Sequence, residues 1–173
     1  MFISLFFIGA ASKALKPLFF LPCLTCSPLY ANITDPDRYP ECPSPYMRRR
    51  LWPIDVTLQS EYPECYGILM DTVLDRKTNT TSPRPGITIY TDDFGDYANL
   101  PSFKTLAKNL IGQHHYEDKV NIFGVTYDWI HYYLGLDYVF NNLTRNIEAA
   151  VKNNEGKKAI LMGQSLGTHF IKY

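Results

Sequence analysis

Lys157-Lys158-Ala159-Ile160-Leu161-Met162-Gly163-Gln164-Ser165-Leu166-Gly167 is the stretch on which the fold turns. Two lysines lead into four apolar residues, the length and composition of a short buried strand. That strand runs straight into Gly163-x-Ser165-x-Gly167, and a helix-like start follows. A glycine on either side of a serine at this spacing suits a very tight strand-to-helix turn. Such a turn holds the serine in a strained conformation with its Oγ lifted above the sheet, and side chains at 163 and 167 would clash with it. The backbone N–H of Leu166, at the start of the helix, then faces the place where an oxyanion forms. The plainer alternative is a glycine-rich turn with an idle serine.

Working outward, Leu18-Phe19-Phe20-Leu21 lies between Pro17 and Pro22 and reads as a buried strand. Gly86 to Tyr90 alternates and is β-branched, which predicts a second strand. Lys119 to Tyr127 predicts another. Phe103 to Ile111 has helical spacing. So does Leu134 to Val151, with Leu136, Val139, Phe140, Leu143, Ile147 and Ala150 on one stripe. Tyr66 to Asp75 fits a helix or a strand, and Asn79 to Pro85 a polar turn. Strands separated by helical stretches indicate an α/β fold built on a parallel sheet with flanking helices. Between Pro36 and Pro63 lie six prolines, which predict irregular structure. The same stretch holds Tyr46, Leu51, Trp52 and Ile54, so residues 36–65 read as a lid or binding loop.

The chain has 173 residues, 46% of them apolar and 20% charged, the balance of a single globular domain. Seventeen basic and seventeen acidic side chains cancel, which argues against nucleic acid as a partner. Met1 to Ala11 (MFISLFFIGAA) is a short apolar run ending in small residues. It reads as a signal peptide, with a buried N-terminal strand as the alternative, and residues 12–173 form the domain. Asn32-Ile33-Thr34, Asn79-Thr80-Thr81 and Asn142-Leu143-Thr144 are N-glycosylation sequons. The four cysteines, Cys23, Cys26, Cys42 and Cys65, suggest disulfides in an exported chain, with three connectivities open. In a cytosolic chain Cys23-x-x-Cys26 would instead be a redox or metal pair. It has no second CxxC and no clustered histidine, so no metal is expected.

Gly163 to Gly167 matches the nucleophile elbow of α/β-hydrolases. In that fold the acid and then the histidine follow the serine. Eight residues follow Ser165 and none is acidic. His169 sits on the same nascent helix, and His114, His115 and His131 precede the nucleophile. The expectation is therefore an incomplete α/β-hydrolase fold, cut just after the elbow, with an apolar sheet edge exposed beside it.

Further motifs fall in order along the chain. They are Leu21-Pro22 then Leu29-x-Ala31, Cys42 and Cys65 with Trp52 between them, Pro85-Gly86-Ile87-x-Ile89 then Phe94-Gly95, Tyr127-Asp128-Trp129, and Gly163 to Gly167. Together they resemble the N-terminal portion of the lecithin:cholesterol acyltransferase family, which includes the lysosomal phospholipase, over about residues 16–173. The resemblance implies a Cys42–Cys65 disulfide and Ser165 as the nucleophile that accepts an acyl group from a phospholipid. It implies an oxyanion hole from the N–H groups of Phe94 and Leu166. Trp52 would contact the acyl chain, Asp128 and Trp129 would be structural, and no metal or organic cofactor would take part. The chain departs from the family pattern at Cys23 and Cys26, which replace glycines, and at Asp92-Asp93, which replaces Pro-Gly. Ile130 replaces an arginine, removing an expected partner for Asp128, and Gln164 replaces a histidine. The family's acid and histidine would lie past residue 173.

Read from the residues alone, Ser165 still points to acyl chemistry, because attack on an ester gives an acyl-enzyme whichever alcohol accepts the chain. The expectation is an O-acyltransferase of lipid metabolism that transfers a fatty acyl group to a sterol, another alcohol or water. Its setting would be the secretory or lysosomal lumen, at a membrane or lipid-particle surface. Arg48-Arg49-Arg50 could attract anionic headgroups or be a solvated face. The alternative is a non-catalytic exported glycoprotein that keeps part of the fold and binds lipid or a partner.

Overall fold

The computed structural model describes residues 14–91, 95–96, 100–131 and 137–172, apart from the side chain of Tyr138. Residues 1–11, expected as a signal peptide, and Leu136 of the apolar stripe lie outside them.

Strand β1 (Leu18–Leu21) is buried on both faces, which is what an uninterrupted apolar run permits. It is the middle strand of a parallel sheet, flanked by β7 (Ile122–Gly124) and β8 (Ile160–Gly163) in the order β7-β1-β8. Its side chains alternate between the two faces. Leu18 and Phe20 pack with Leu100, Phe103 and Ala107 beneath helix α3 (Pro101–His114). Phe20 stacks on Phe103 at 4.6 Å between centroids. Phe19 and Leu21 pack with Val139, Leu143 and Ala150 of helix α4 (Asp137–Asn153) and with Phe170 of helix α5 (Gly167–Phe170). Both helices keep the apolar spacing of the sequence, and each covers one face of the sheet.

A second, antiparallel sheet has the order β3-β2-β6, made of β3 (Arg49–Trp52), β2 (Leu29–Ile33) and β6 (Ile87–Thr91). Its core includes Leu29, Ala31, Leu51, Leu58, Leu69 and the Cys42–Cys65 disulfide. A short hairpin, β4 (Val73–Asp75) with β5 (Thr80–Ser82), lies between these elements in the chain. The fold is thus α/β with both parallel and antiparallel sheets, which corrects the expectation of one parallel sheet. The run at 86–90 does form a strand, but β6 pairs antiparallel to β2. Parallel neighbours need a long crossover, and the crossovers in this chain lead into β7 and β8.

The proline-rich stretch also departs from its reading. It contains a 3-10 turn at Pro36–Arg38, strand β3, helix α1 (Val56–Glu61) and the start of helix α2 (Pro63–Met70). Three prolines fall at element boundaries, where a missing N–H is harmless: Pro36 opens the 3-10 turn, Pro53 follows β3 and Pro63 opens α2, while Pro40, Pro43 and Pro45 lie in irregular chain. Asp55 caps α1 by accepting from Leu58 N at 3.2 Å. Tyr66 to Asp75, open between helix and strand, divides into the end of α2 and β4.

Among the described residues β8 pairs with β1 alone, and Ile160 and Met162 are exposed beside that edge. No helix among the described residues is long and apolar enough to cross a membrane.

If β1 is the keel of the parallel sheet, Phe20→Ala should lower stability by about 3–5 kcal/mol, read as a fall in the urea midpoint. A loss below about 1 kcal/mol would show that the packing around β1 is not the core.

Candidate active site

At the C-terminal end of β8 the chain turns into α5 through Gln164, Ser165 and Leu166. The turn is held by its fit against β1. Leu21 pairs in register with Gly163, and Gln164 N donates to Leu21 O at 3.0 Å. The two glycines answer to backbone contacts. A Cβ at Gly167 would stand 2.0 Å from Leu21 O, and one at Gly163 would stand 2.6 Å from Gly167 O. Neither position tolerates a side chain while β8, β1 and α5 stay where they are. Between them Ser165 has φ +51 and is exposed. A non-glycine residue in that region costs about 1–3 kcal/mol and persists where neighbouring contacts over-determine it. Here Gly167 N donates to Gln164 O at 2.9 Å, and Ser165 O accepts from Thr168 N at 2.9 Å and Thr168 Oγ1 at 2.6 Å. Leu166 is half-buried against the α4 side of the core.

The C-terminal edges of parallel strands are where open α/β sheets place ligands. Ser165 follows β8 on that edge, and two other segments reach it. After β7, Gly124 and Gly95 exchange backbone hydrogen bonds of 2.7 and 2.9 Å. Phe94, the residue expected to supply an oxyanion N–H, lies outside the described residues. After β1, the loop 22–28 presents a row of carbonyls. Tyr127 Oη donates to Pro22 O at 3.2 Å and Cys23 O at 3.0 Å, and its ring packs 4.8 Å from that of Phe170. Trp129 Nε1 donates to Ser27 O at 3.0 Å, and Trp52 Nε1 donates to Thr25 O. The two indoles meet edge to face at 5.4 Å. Trp52 is therefore half-buried and held in place beside this loop.

Asp128 has a partner despite Ile130. Its Oδ1 accepts from Ile130 N at 3.0 Å and His131 N at 3.3 Å, and its Oδ2 lies 2.6 Å from His131 Nδ1. The partner lost with the arginine is thus replaced from within the same segment. A histidine three residues on turns back across the loop. His131 is itself buried, and its Nε2 has no hydrogen-bond partner among the described residues. Sequence reading passed over the pair, although Asp-x-x-His is a spacing that permits it.

The cysteines pair as Cys23–Cys26 and Cys42–Cys65. Of the three sequons, Asn79 lies in an exposed turn. Asn32 lies in β2 with its Oδ1 accepting from Arg48 N at 2.7 Å, and Asn142 lies in α4 beside Arg145. Among the described residues no group of three or more His, Cys, Asp or Glu stands in a metal-holding arrangement. Displaced carboxyls belong to other segments. The hydrogen bond from Arg84 lowers that of Asp71, while burial, followed by the charge of Asp96, raises that of Asp118.

A family model described as lecithin:cholesterol acyltransferase matches residues 46–173. The matched span takes in Trp52, Cys65, Tyr127 to Trp129 and Gly163 to Gly167. Cys42 and the opening strand precede it. Comparison with curated proteins gave no match.

Two glycines test the turn against each other. Gly167→Ala should lose about 3 kcal/mol or more in urea unfolding, because the added methyl meets the Leu21 carbonyl. Gly67→Ala, in α2 with nothing within 4 Å of the new Cβ, should gain about 0.5–1 kcal/mol. Separately, Asp128→Ala should lose about 1–3 kcal/mol, since it strips buried His131 Nδ1 and the N–H groups of Ile130 and His131 of their acceptor. A loss under about 1 kcal/mol would rank the Asp128–His131 pair with weak surface pairs.

Proposed function

The chain belongs to the lecithin:cholesterol acyltransferase family, and from that premise we propose that it serves lipid acyl transfer, with Ser165 as the acyl acceptor. The observation that carries this reading is an exposed serine at φ +51 between a parallel strand and a helix, at the sheet edge where ligands bind. In this reading the turn is a nucleophile elbow.

Ser165 Oγ attacks the carbonyl carbon of a phospholipid ester. The new C–Oγ bond forms as the carbonyl π pair moves onto its oxygen; collapse of that tetrahedral intermediate breaks the ester C–O bond, and the serine proton passes to the departing alcohol. The N–H groups of Leu166 and Phe94 steady the oxyanion of the tetrahedral intermediate. A sterol, another alcohol or water then takes the acyl group and restores the serine. Trp52 offers its indole to the acyl chain, and its bond to Thr25 O and its contact with Trp129 would keep that surface in place. Asp128 and Trp129 act as structural supports. Arg48 and Arg50, both exposed, would face anionic headgroups at a membrane or lipid-particle surface, whereas Arg49 is buried and corrects the reading of all three as one charged face. The two disulfides fit an oxidising, extracytoplasmic compartment. Within that, we place the chain in the secretory or lysosomal lumen.

A second reading has its own support. Among the described residues Ser165 Oγ has no hydrogen-bonded base. On that reading the chain is a non-catalytic exported glycoprotein that binds lipid or a partner.

A fluorophosphonate probe separates the two, because it labels activated serines. Labelling of the folded chain that disappears in Ser165→Ala supports acyl chemistry. A folded chain that stays unlabelled, while still binding phospholipid vesicles, supports the binding protein.

A further inference from the structure

The two disulfides differ in kind. Cys42–Cys65 joins residues 23 apart, and both cysteines are fully buried in the core of the antiparallel sheet. Cys23–Cys26 joins residues only three apart in the loop between β1 and β2, and both of its cysteines are half-buried, with Leu24 exposed between them. A short loop gains little from cross-linking, since the chain entropy it removes from the unfolded state is small. Disulfides that are exposed are more readily reduced than buried structural ones. Partial exposure gives a reductant access that the buried pair denies.

That loop is also a hub. Tyr127 Oη donates to Cys23 O, Trp52 Nε1 to Thr25 O and Trp129 Nε1 to Ser27 O. Cys26 N closes the turn on Cys23 O at 3.1 Å. Thr25 is held at φ +64, an outlying conformation for a β-branched residue. Three aromatic side chains from the antiparallel sheet and from the segment after β7 thus converge on the carbonyls of one four-residue ring and its neighbour. Both tryptophans of the chain are among them.

We propose that Cys23–Cys26 is a redox-active disulfide, opened by thiol–disulfide exchange with a dithiol reductant, and that it latches the Trp52–Trp129 pair. A thiolate of the reductant attacks one sulfur and forms a mixed disulfide. Its second thiol then displaces the protein sulfur. Two electrons and two protons reach Cys23 and Cys26, and the reductant leaves as its own disulfide. Once the ring is open, Thr25 is released from its outlying φ and its carbonyl turns away from Trp52. The inference stands apart from acyl chemistry, because it needs no reactive serine.

The test uses the whole chain, titrated with dithiothreitol, trapped with iodoacetamide and read by peptide mass, with tryptophan emission followed in parallel. Cys23 and Cys26 should become alkylated at lower reductant than Cys42 and Cys65, as a separate first step, and the emission should shift in that same step. The C23S/C26S double variant should show the shifted emission without reductant and no further response at the low concentrations. The proposal is overturned if both pairs open together, if Cys42–Cys65 opens first, or if Cys23–Cys26 opens with the emission unchanged. Should the double variant fail to fold, the titration of the native chain decides on its own.

Discussion

The contact that the rest of the parallel sheet depends on is between two backbones. The end of β1 and the first residue of α5 approach so closely that the space at Gly167 admits hydrogen alone. β1 is the middle strand of the sheet, with four apolar side chains buried on two faces. β8 then pairs with it down to Leu21 and Gly163. From there α5 must begin within three residues. Those three residues have to reverse direction in a space bounded by the Leu21 carbonyl, and the strain falls on Ser165. Its positive φ is thus a consequence of packing several residues away. A hydroxyl on the outside of such a turn is presented to solvent at no further cost.

The same edge carries the joint between the two sheets. Loop 22–28 leaves β1 and enters β2, so it belongs to both. Its carbonyls would be open to solvent or unsatisfied if they faced only their own sheet. Tyr127, Trp129 and Trp52 satisfy several of them with side-chain donors, and in doing so pull β3 and the segment after β7 toward the end of β1. Thr91 Oγ1 adds a 3.1 Å bond to Thr126 Oγ1, which ties the end of β6 to the segment after β7. The aromatic surface and the serine turn therefore share one scaffold strand.

Much of this was legible wherever a single period dominated the sequence. β1, α3, α4 and β8 each carry one unbroken pattern, and the glycines at 163 and 167 announce a turn by their spacing alone. The antiparallel sheet was harder to see. Leu29 to Ile33 alternates over only five residues, and Arg49-Arg50-Leu51-Trp52 reads as a charge run followed by aromatics until its pairing with β2 is known. Arg49 is buried there by donating to the carbonyls of Pro43 and Pro45, a long-side-chain solution that no local pattern signals. Prolines misled because their number was weighed and their positions were not. The Asp128–His131 pair escaped notice because a histidine three residues from a carboxylate is common, and only burial turns it into a structural feature.

Backbone conformation adds a last step. Among the described residues seven non-glycine positions have positive φ, and most have an ordinary reason. His115 caps the end of α3, Asn79 belongs to a type readily found there, and Lys119 and Glu155 lie in turns. Arg48 stands in the bend just before β3, while Thr25 and Ser165 have no such reason. One is β-branched and one is followed at once by a helix that cannot shift. They stand in the two loops that leave the neighbouring strands β1 and β8 at the same end. Strain of this kind is retained where two packing demands conflict. Here the close fit of α5 against β1 sets one demand, and the aromatic donors that must reach the 22–28 carbonyls set the other. Both positions therefore border β1, one in the loop that leaves it and one in the turn packed against its end.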